Sequence, residues 1–232
     1  MSSMIRVFDI ETTGVDAKED RIVEVAAYDV NPFDGTITAA GSRFCNPGRS
    51  IPPGASAVHH LILSDLTDCP LFGEVWPSFY DPKITVYAAH NSEFEASFLP
   101  TPFGVDWICT YKCALHAWPD APAHSNQVIR YWREFDARPN FYREMASPSH
   151  RAGPDAYVTA HLLVDLLDLA SVAQLIACSK QAKRYPVLTF GKHYGMKWAD
   201  VPADYLEWLR DGKHDMDQDW RIGARRELAR RQ

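Results

Sequence analysis

Short apolar runs fill the first half of the chain, and one long run follows residue 154, with polar turns between them. Met4 to Phe8 predicts a buried strand, and Arg21 to Val30 a second one, apolar at Ile22, Val23, Val25, Ala26 and Ala27. Asn31-Pro32-Phe33-Asp34-Gly35 has the composition of a hairpin turn, and Thr36 to Phe44 predicts the returning third strand. Gly73 to Tyr80 predicts a short amphipathic helix, Lys83 to His90 a buried strand of parallel type, and Asp106 to Thr110 a further short strand. Helices are predicted over Thr110 to Trp118 and Ser125 to Phe135. In the second, Tyr131 and Trp132 are read as core and Arg130 and Arg133 as its wet side. Residues 137 to 149 are irregular, and Pro154 to about Cys178 predicts one long apolar helix with Pro154 at its first position.

The chemistry enters where the first strand stops being apolar. Asp9 and Glu11 lie two residues apart, so on a strand they share a face. Two such carboxylates repel each other unless a cation lies between them, and hard oxygen donors suit magnesium or manganese rather than zinc. The plain alternative is a strand end running into solvent. Thr12-Thr13-Gly14 follows, with hydroxyls and a permissive backbone beside the acids. Far along the chain, His150 leads into the long helix and Asp155 sits in its first turn. Between them, Ser92-Glu93-Phe94-Glu95 fits a helix capping box, which would occupy the Glu95 carboxylate.

Together, the Val7-to-Gly14 motif and the His150-to-Asp155 motif resemble the DnaQ-like exonuclease superfamily, in the subgroup with histidine five residues ahead of the last aspartate. The resemblance implies an α/β fold with an RNase H-like mixed five-stranded sheet flanked by helices, opening with three antiparallel strands. It also implies a 3′→5′ exonuclease using two Mg2+ or Mn2+ ions, held by Asp9, Glu11, Glu95 and Asp155, with His150 as general base. The family pattern His-Asn-x-x-Phe-Asp is met at His90, Asn91 and Phe94, but Glu95 stands where aspartate is expected. Glu95 is thus open to two readings, metal ligand or helix cap. His59 matches an alanine-apolar-histidine segment lining the pocket for the terminal nucleotide, with a surface histidine as the plain alternative. Thr12, Thr13, Asn91 and Phe94 join it as candidate substrate contacts. Val15, just past the acids, is placed to wedge against a terminal base pair.

Composition changes the picture in one respect. The net charge is −6 over 232 residues, but residues 1–179 carry 12 basic against 22 acidic side chains, whereas 180–232 carry 12 against 8. That asymmetry marks Lys180 to Tyr185 as a linker between an exonuclease domain, 1–179, and a small α+β C-terminal domain, 186–232. The segment Phe190-Gly191-Lys192 followed by Tyr205-Leu206-Glu207-Trp208 resembles the tail of the exodeoxyribonuclease X group. Arg221, Arg225, Arg226 and Arg230 recur at helical spacing, either as a solvated face or as a DNA contact. Five cysteines without a Cys-x-x-Cys pair fit reduced thiols. No apolar run is long enough for a bilayer span, and Met1 to Ser3 show no leader pattern, so a cytoplasmic protein is expected. DNA 3′ ends are the expected partner, with no membrane and no organic cofactor; RNA trimming, or binding of nucleic-acid ends with weakened hydrolysis, is the alternative.

Overall fold

The structure, a computed structural model, describes residues 4–212 and 216–232. The start at Met1 to Ser3 lies outside the described residues. Five strands form one sheet: β1 (Ile5–Thr12), β2 (Ile22–Val30), β3 (Ile37–Phe44), β4 (Val86–Ala89) and β5 (Asp106–Cys109), in the order β3-β2-β1-β4-β5. β1, β2 and β3 are antiparallel neighbours, while β1–β4 and β4–β5 are parallel. This is the mixed five-stranded, RNase H-like sheet expected from the sequence. Around it lie α1 (Pro53–His59), α2 (Leu63–Leu66), α3 (Phe72–Val75), α4 (Ser92–Phe98), α5 (Thr110–Ala117), α6 (Asn126–Trp132), α7 (Ala152–Leu167) and α8 (Val172–Ser179).

β1 explains how the sheet presents acids to one side. Its alternation places Phe8 and Ile10 in the core layer with Phe79 and Tyr87, and Ile5 and Val7 in the opposite layer with Tyr157, Val158 and Leu162 of α7. Asp9 and Glu11 continue the Ile5 and Val7 face, so the apolar floor beneath α7 turns acidic where β1 nears its carboxyl end. Parallel pairing with β4 brings that end level with the turn into α4, the usual location of sites in open α/β sheets.

The long helix expected from Pro154 to about Cys178 is two helices, α7 and α8, meeting at 114°. Leu169 and Ala170 keep the connection apolar, which hides the break in the hydropathy pattern. The break itself comes from Ser171: its hydroxyl accepts from the Gln174 N–H, and Gln174 Oε1 accepts from the Ser171 N–H at 2.9 Å, a capping box that starts a new helix. α7 also begins at Ala152, two residues before Pro154. Proline is tolerated there because the first four helical N–H groups have no partner within the helix. Among the described residues no single helix is long and apolar enough to cross a membrane.

Beyond Lys180, a separate apolar cluster gathers Leu188, Val201, Leu206, Leu209, Trp220 and Ala224. It is built on α9 (Ala203–Asp211) and α10 (Gln218–Arg230), with an isolated antiparallel bridge between Val187 and Lys197. Tyr185 stacks on Trp220 with ring centroids 4.0 Å apart, joining the segment after α8 to this cluster.

Candidate active site

Three carboxylates from opposite ends of the chain meet at the end of β1. Asp9, Glu11 and Asp155 each offer an oxygen, and these oxygens all lie within 4.8 Å of one another. At that spacing two full negative charges repel by about 3 kcal/mol even at an effective dielectric constant of 20. The acids respond as crowded, largely buried like charges must. Burial first, then the neighbouring Asp155 and Glu24, push Glu11 up to about 8. Asp9 is driven well above the usual carboxylate range by burial and then by Asp155 and Glu95. Asp155 is raised by burial too, against the opposing pull of its hydrogen bonds.

Glu95 lies beside this trio on α4, only 4% exposed, and its Oε2 has no hydrogen-bond partner among the described residues. Burial pushes it up to about 8. The capping-box alternative is not what the fold adopts. The N-cap of α4 is Asn91, with the Phe94 N–H donating to the Asn91 carbonyl at 2.8 Å, so the helix starts one residue earlier than a Ser92 cap requires. The carboxylate is thereby released from capping and sits buried near Asp9. An orphaned buried carboxylate beside three crowded ones is a donor set that fits hard divalent cations.

His150 occupies the exposed loop ahead of α7 in the left-handed region, φ 58°. This turns its main-chain N–H onto Asp155 Oδ2 at 2.6 Å and leaves the imidazole to solvent at the rim of the acids. The other Asp155 oxygen, Oδ1, accepts from Gln127 Nε2 at 3.1 Å.

The candidate substrate contacts divide into two groups. Asn91 is exposed and Phe94 is half-buried at the head of α4, the latter packed on Phe98 with centroids 5.0 Å apart. Thr12 and Thr13 are buried. The Thr12 hydroxyl donates to the Gly14 carbonyl at 2.5 Å, and the Thr13 hydroxyl donates to Asp20 at 2.9 Å while accepting from the Arg21 N–H at 3.0 Å. Both hydroxyls thus brace the turn after β1. A Cβ at Gly14 would lie 2.4 Å from the Asp20 carboxylate, so any larger residue there would displace the side chain that the Thr13 hydroxyl bonds. His59 is 1% exposed rather than a surface residue; its Nδ1 accepts from the Leu61 N–H at 3.0 Å and its Nε2 lies by the Thr12 backbone. Burial lowers its basicity.

Four residues around the acids were not foreseen. Glu24, opposite Glu11 in the β1–β2 register, accepts from Arg151 Nε at 2.9 Å and from the Ala152 N–H at 3.2 Å. A lone charge inside the apolar run Ile22 to Ala27 was the available signal. Gln127 and Arg130 on α6 gave none. Arg130, expected on the wet side of its helix, is 1% exposed: Asp136 takes its fork at 2.8 and 2.6 Å and the Ala146 carbonyl accepts at 2.8 Å, which compensates the buried charge. Tyr131 and Trp132 lie outside instead.

Sequence comparison agrees with this geometry. The model of the exonuclease family (RNase_T) matches residues 7–163. The chain is 32% identical over 226 residues to exodeoxyribonuclease 10 of Escherichia coli K12, covering 94% of this chain and 96% of that one. It is 31% identical over 170 residues to the DNA polymerase III epsilon subunit of Treponema pallidum, covering 69% and 74%. Among solved structures, exonuclease X in complex with 5′ overhanging duplex DNA superposes with a TM-score of 0.63 at 32% identity, over 76% of this chain and 99% of the other. The chain belongs to the DnaQ-like 3′→5′ exonuclease family.

Proposed function

We propose that the protein removes nucleotides from DNA 3′ ends as 5′-monophosphates, with two divalent cations, Mg2+ or Mn2+, held by Asp9, Glu11, Glu95 and Asp155 and with His150 as general base. The observation that carries this reading is the convergence of three carboxylates within 4.8 Å beside a fourth with an unpaired buried oxygen. Asp9 and Asp155 would hold the cation nearer the attacking water, and Glu11 with Glu95 the other. Bound there, such cations would ease deprotonation of that water and offset charge on the departing 3′ oxygen. His150, exposed beside Asp155, is the side chain placed to accept the proton. Asn91 and Phe94 would hold the terminal nucleotide from the α4 side, with Thr12, Thr13 and His59 shaping the opposite wall.

DNA is the favoured substrate because the relative matched over 94% of this chain is an exodeoxyribonuclease by name, and the solved exonuclease X, matched over 76%, is in complex with duplex DNA. The same coverage supports a catalytic domain at 1–179 and a C-terminal domain of exodeoxyribonuclease X type at 186–232. A DNA substrate goes with the cytoplasmic location expected from the sequence.

Digestion of matched labelled DNA and RNA oligomers tests the proposal. The expected result is stepwise release of mononucleotides from the DNA 3′ end, faster than from RNA and abolished by EDTA. His150→Ala should lose about a hundredfold or more in turnover while melting at the temperature of the unaltered protein. Faster digestion of RNA, or full activity without divalent ions, overturns the proposal; an undiminished His150→Ala variant removes His150 from it.

A further inference from the structure

Asp155 is held at both oxygens, Oδ2 by the His150 N–H at 2.6 Å and Oδ1 by Gln127 Nε2 at 3.1 Å. A carboxamide can turn over, exchanging its oxygen and its NH2 group with little change of shape. Turned over, Gln127 would aim a lone pair at the carboxylate. What prevents this is Arg130, whose Nη1 donates to Gln127 Oε1 at 3.1 Å. A guanidinium has donors only, so the carboxamide oxygen must face Arg130 and the NH2 must face Asp155. The same Nη1 donates to the Ala146 carbonyl at 2.8 Å, in the turn from which the chain runs to His150. Nε and Nη2 are taken by Asp136. One buried guanidinium therefore links α6, the carboxylate of α7 and the root of the histidine loop.

Burying an arginine with a single carboxylate adds little stability by itself, because desolvation offsets most of the attraction. Its geometry is better accounted for by what it orients. We propose that Gln127 and Arg130 are positioning residues: Arg130 fixes the orientation of the Gln127 carboxamide, which in turn fixes the Asp155 carboxylate for cation binding. This rests on the cation-binding reading of the site.

The test is Mn2+ binding measured by calorimetry without DNA, alongside the magnesium concentration giving half-maximal DNA digestion. Gln127→Met keeps the length of the side chain and removes the donor. It should weaken Mn2+ binding about tenfold or more and lower kcat by a similar factor, with KM for DNA and melting temperature little changed. Arg130→Lys keeps the charge, but one ammonium cannot serve Asp136, Gln127 and Ala146 together. It should weaken Mn2+ binding as Gln127→Met does, and the double variant should be no worse than the single ones, because the second residue acts through the first. Unchanged Mn2+ binding in Gln127→Met, or fully additive losses in the double variant, overturns the positioning role while leaving the cation site standing. An unaltered protein that binds no Mn2+ overturns both. If Arg130→Lys fails to fold, Gln127→Met alone decides.

Discussion

Glu24 on β2 and Arg151 at the head of α7, 127 residues apart in sequence, are joined by a charge-assisted hydrogen bond of 2.9 Å directly behind the acid cluster. Glu24 also takes the first N–H of α7, from Ala152, and the Arg151 guanidinium lies over the Phe44 ring at 5.0 Å. The pair thus fastens the helix carrying Asp155 to the sheet carrying Asp9 and Glu11. It adds a second effect: the Arg151 charge opposes the upward push on Glu11.

Removing one partner from this pair is the first prediction. The Glu24 side chain is 4% exposed and that of Arg151 26%, so Arg151→Met leaves the more buried charge uncompensated. The expected loss is about 3 kcal/mol of stability. Glu24→Gln should cost less, since the carboxamide oxygen still accepts from Ala152 and the arginine turns to water. Urea denaturation of the two variants gives the ordering, and a smaller loss in Arg151→Met than in Glu24→Gln contradicts the argument.

Stability without metal should depend on pH in a direction that the crowded acids dictate. Glu11 and Glu95 are each raised from 4.5 to about 8 in the fold. A carboxyl raised on folding favours the fold fully below its unfolded value, and that advantage is lost as pH climbs through the folded value. Metal-free protein should therefore lose stability between about pH 4.5 and pH 8 from these groups. Cations held by the proposed site would replace the protons, so saturating Mg2+ or Mn2+ should raise the melting temperature more at pH 8.5 than at pH 5.5. Melting curves with EDTA or Mn2+ at the two pH values check this; an equal shift at both sinks it.

How far the sequence alone discloses all this depends on the range of the interaction. β1, β2, β4 and β5 are legible because burial writes itself as apolar runs, β3 is legible from the turn before it since none of its residues is buried, and the shared face of Asp9 and Glu11 follows from strand parity. Their meeting with Asp155 is legible only through motif resemblance, since no local rule connects residue 11 to residue 155. The bend between α7 and α8 was hidden by Leu169 and Ala170, although the Ser171 and Gln174 pair was there to be seen. Glu95 looked like a cap because its spacing from Ser92 is right, and only the helix start at Asn91 decides otherwise. Arg130 defeats a helix-face reading because its partners, Asp136 and Ala146, lie past the end of its own helix, where helical periodicity says nothing.

Glu95→Gln separates function from stability. The substitution keeps the shape and removes a buried charge next to Asp9, which is raised in part by Glu95. Relief of that repulsion should raise the metal-free melting temperature at pH 8 by about 3 °C, the shift expected for roughly 1 kcal/mol in a protein of this size. The same change removes a candidate cation ligand, so exonuclease turnover should fall by about tenfold or more. A variant that melts lower without metal, yet keeps full turnover, shows Glu95 to be a structural acid.

Val15 offers a test on the substrate side. It is 85% exposed at the tip of the turn that Thr12, Thr13 and Gly14 brace, immediately after the acid pair. Singly exposed apolar side chains are ordinary on protein surfaces, so the prediction rests on the position of Val15, on a braced turn immediately after the acid pair. A terminal base pair must open before its 3′ strand can reach the acids, and an apolar tip can stack where the partner base is displaced. Val15→Gly should therefore slow digestion of blunt duplex DNA several-fold while leaving single-stranded DNA untouched. Parallel time courses on the two substrates give the ratio. Equal slowing on both would point to a damaged turn, and no slowing on duplex would remove the wedge.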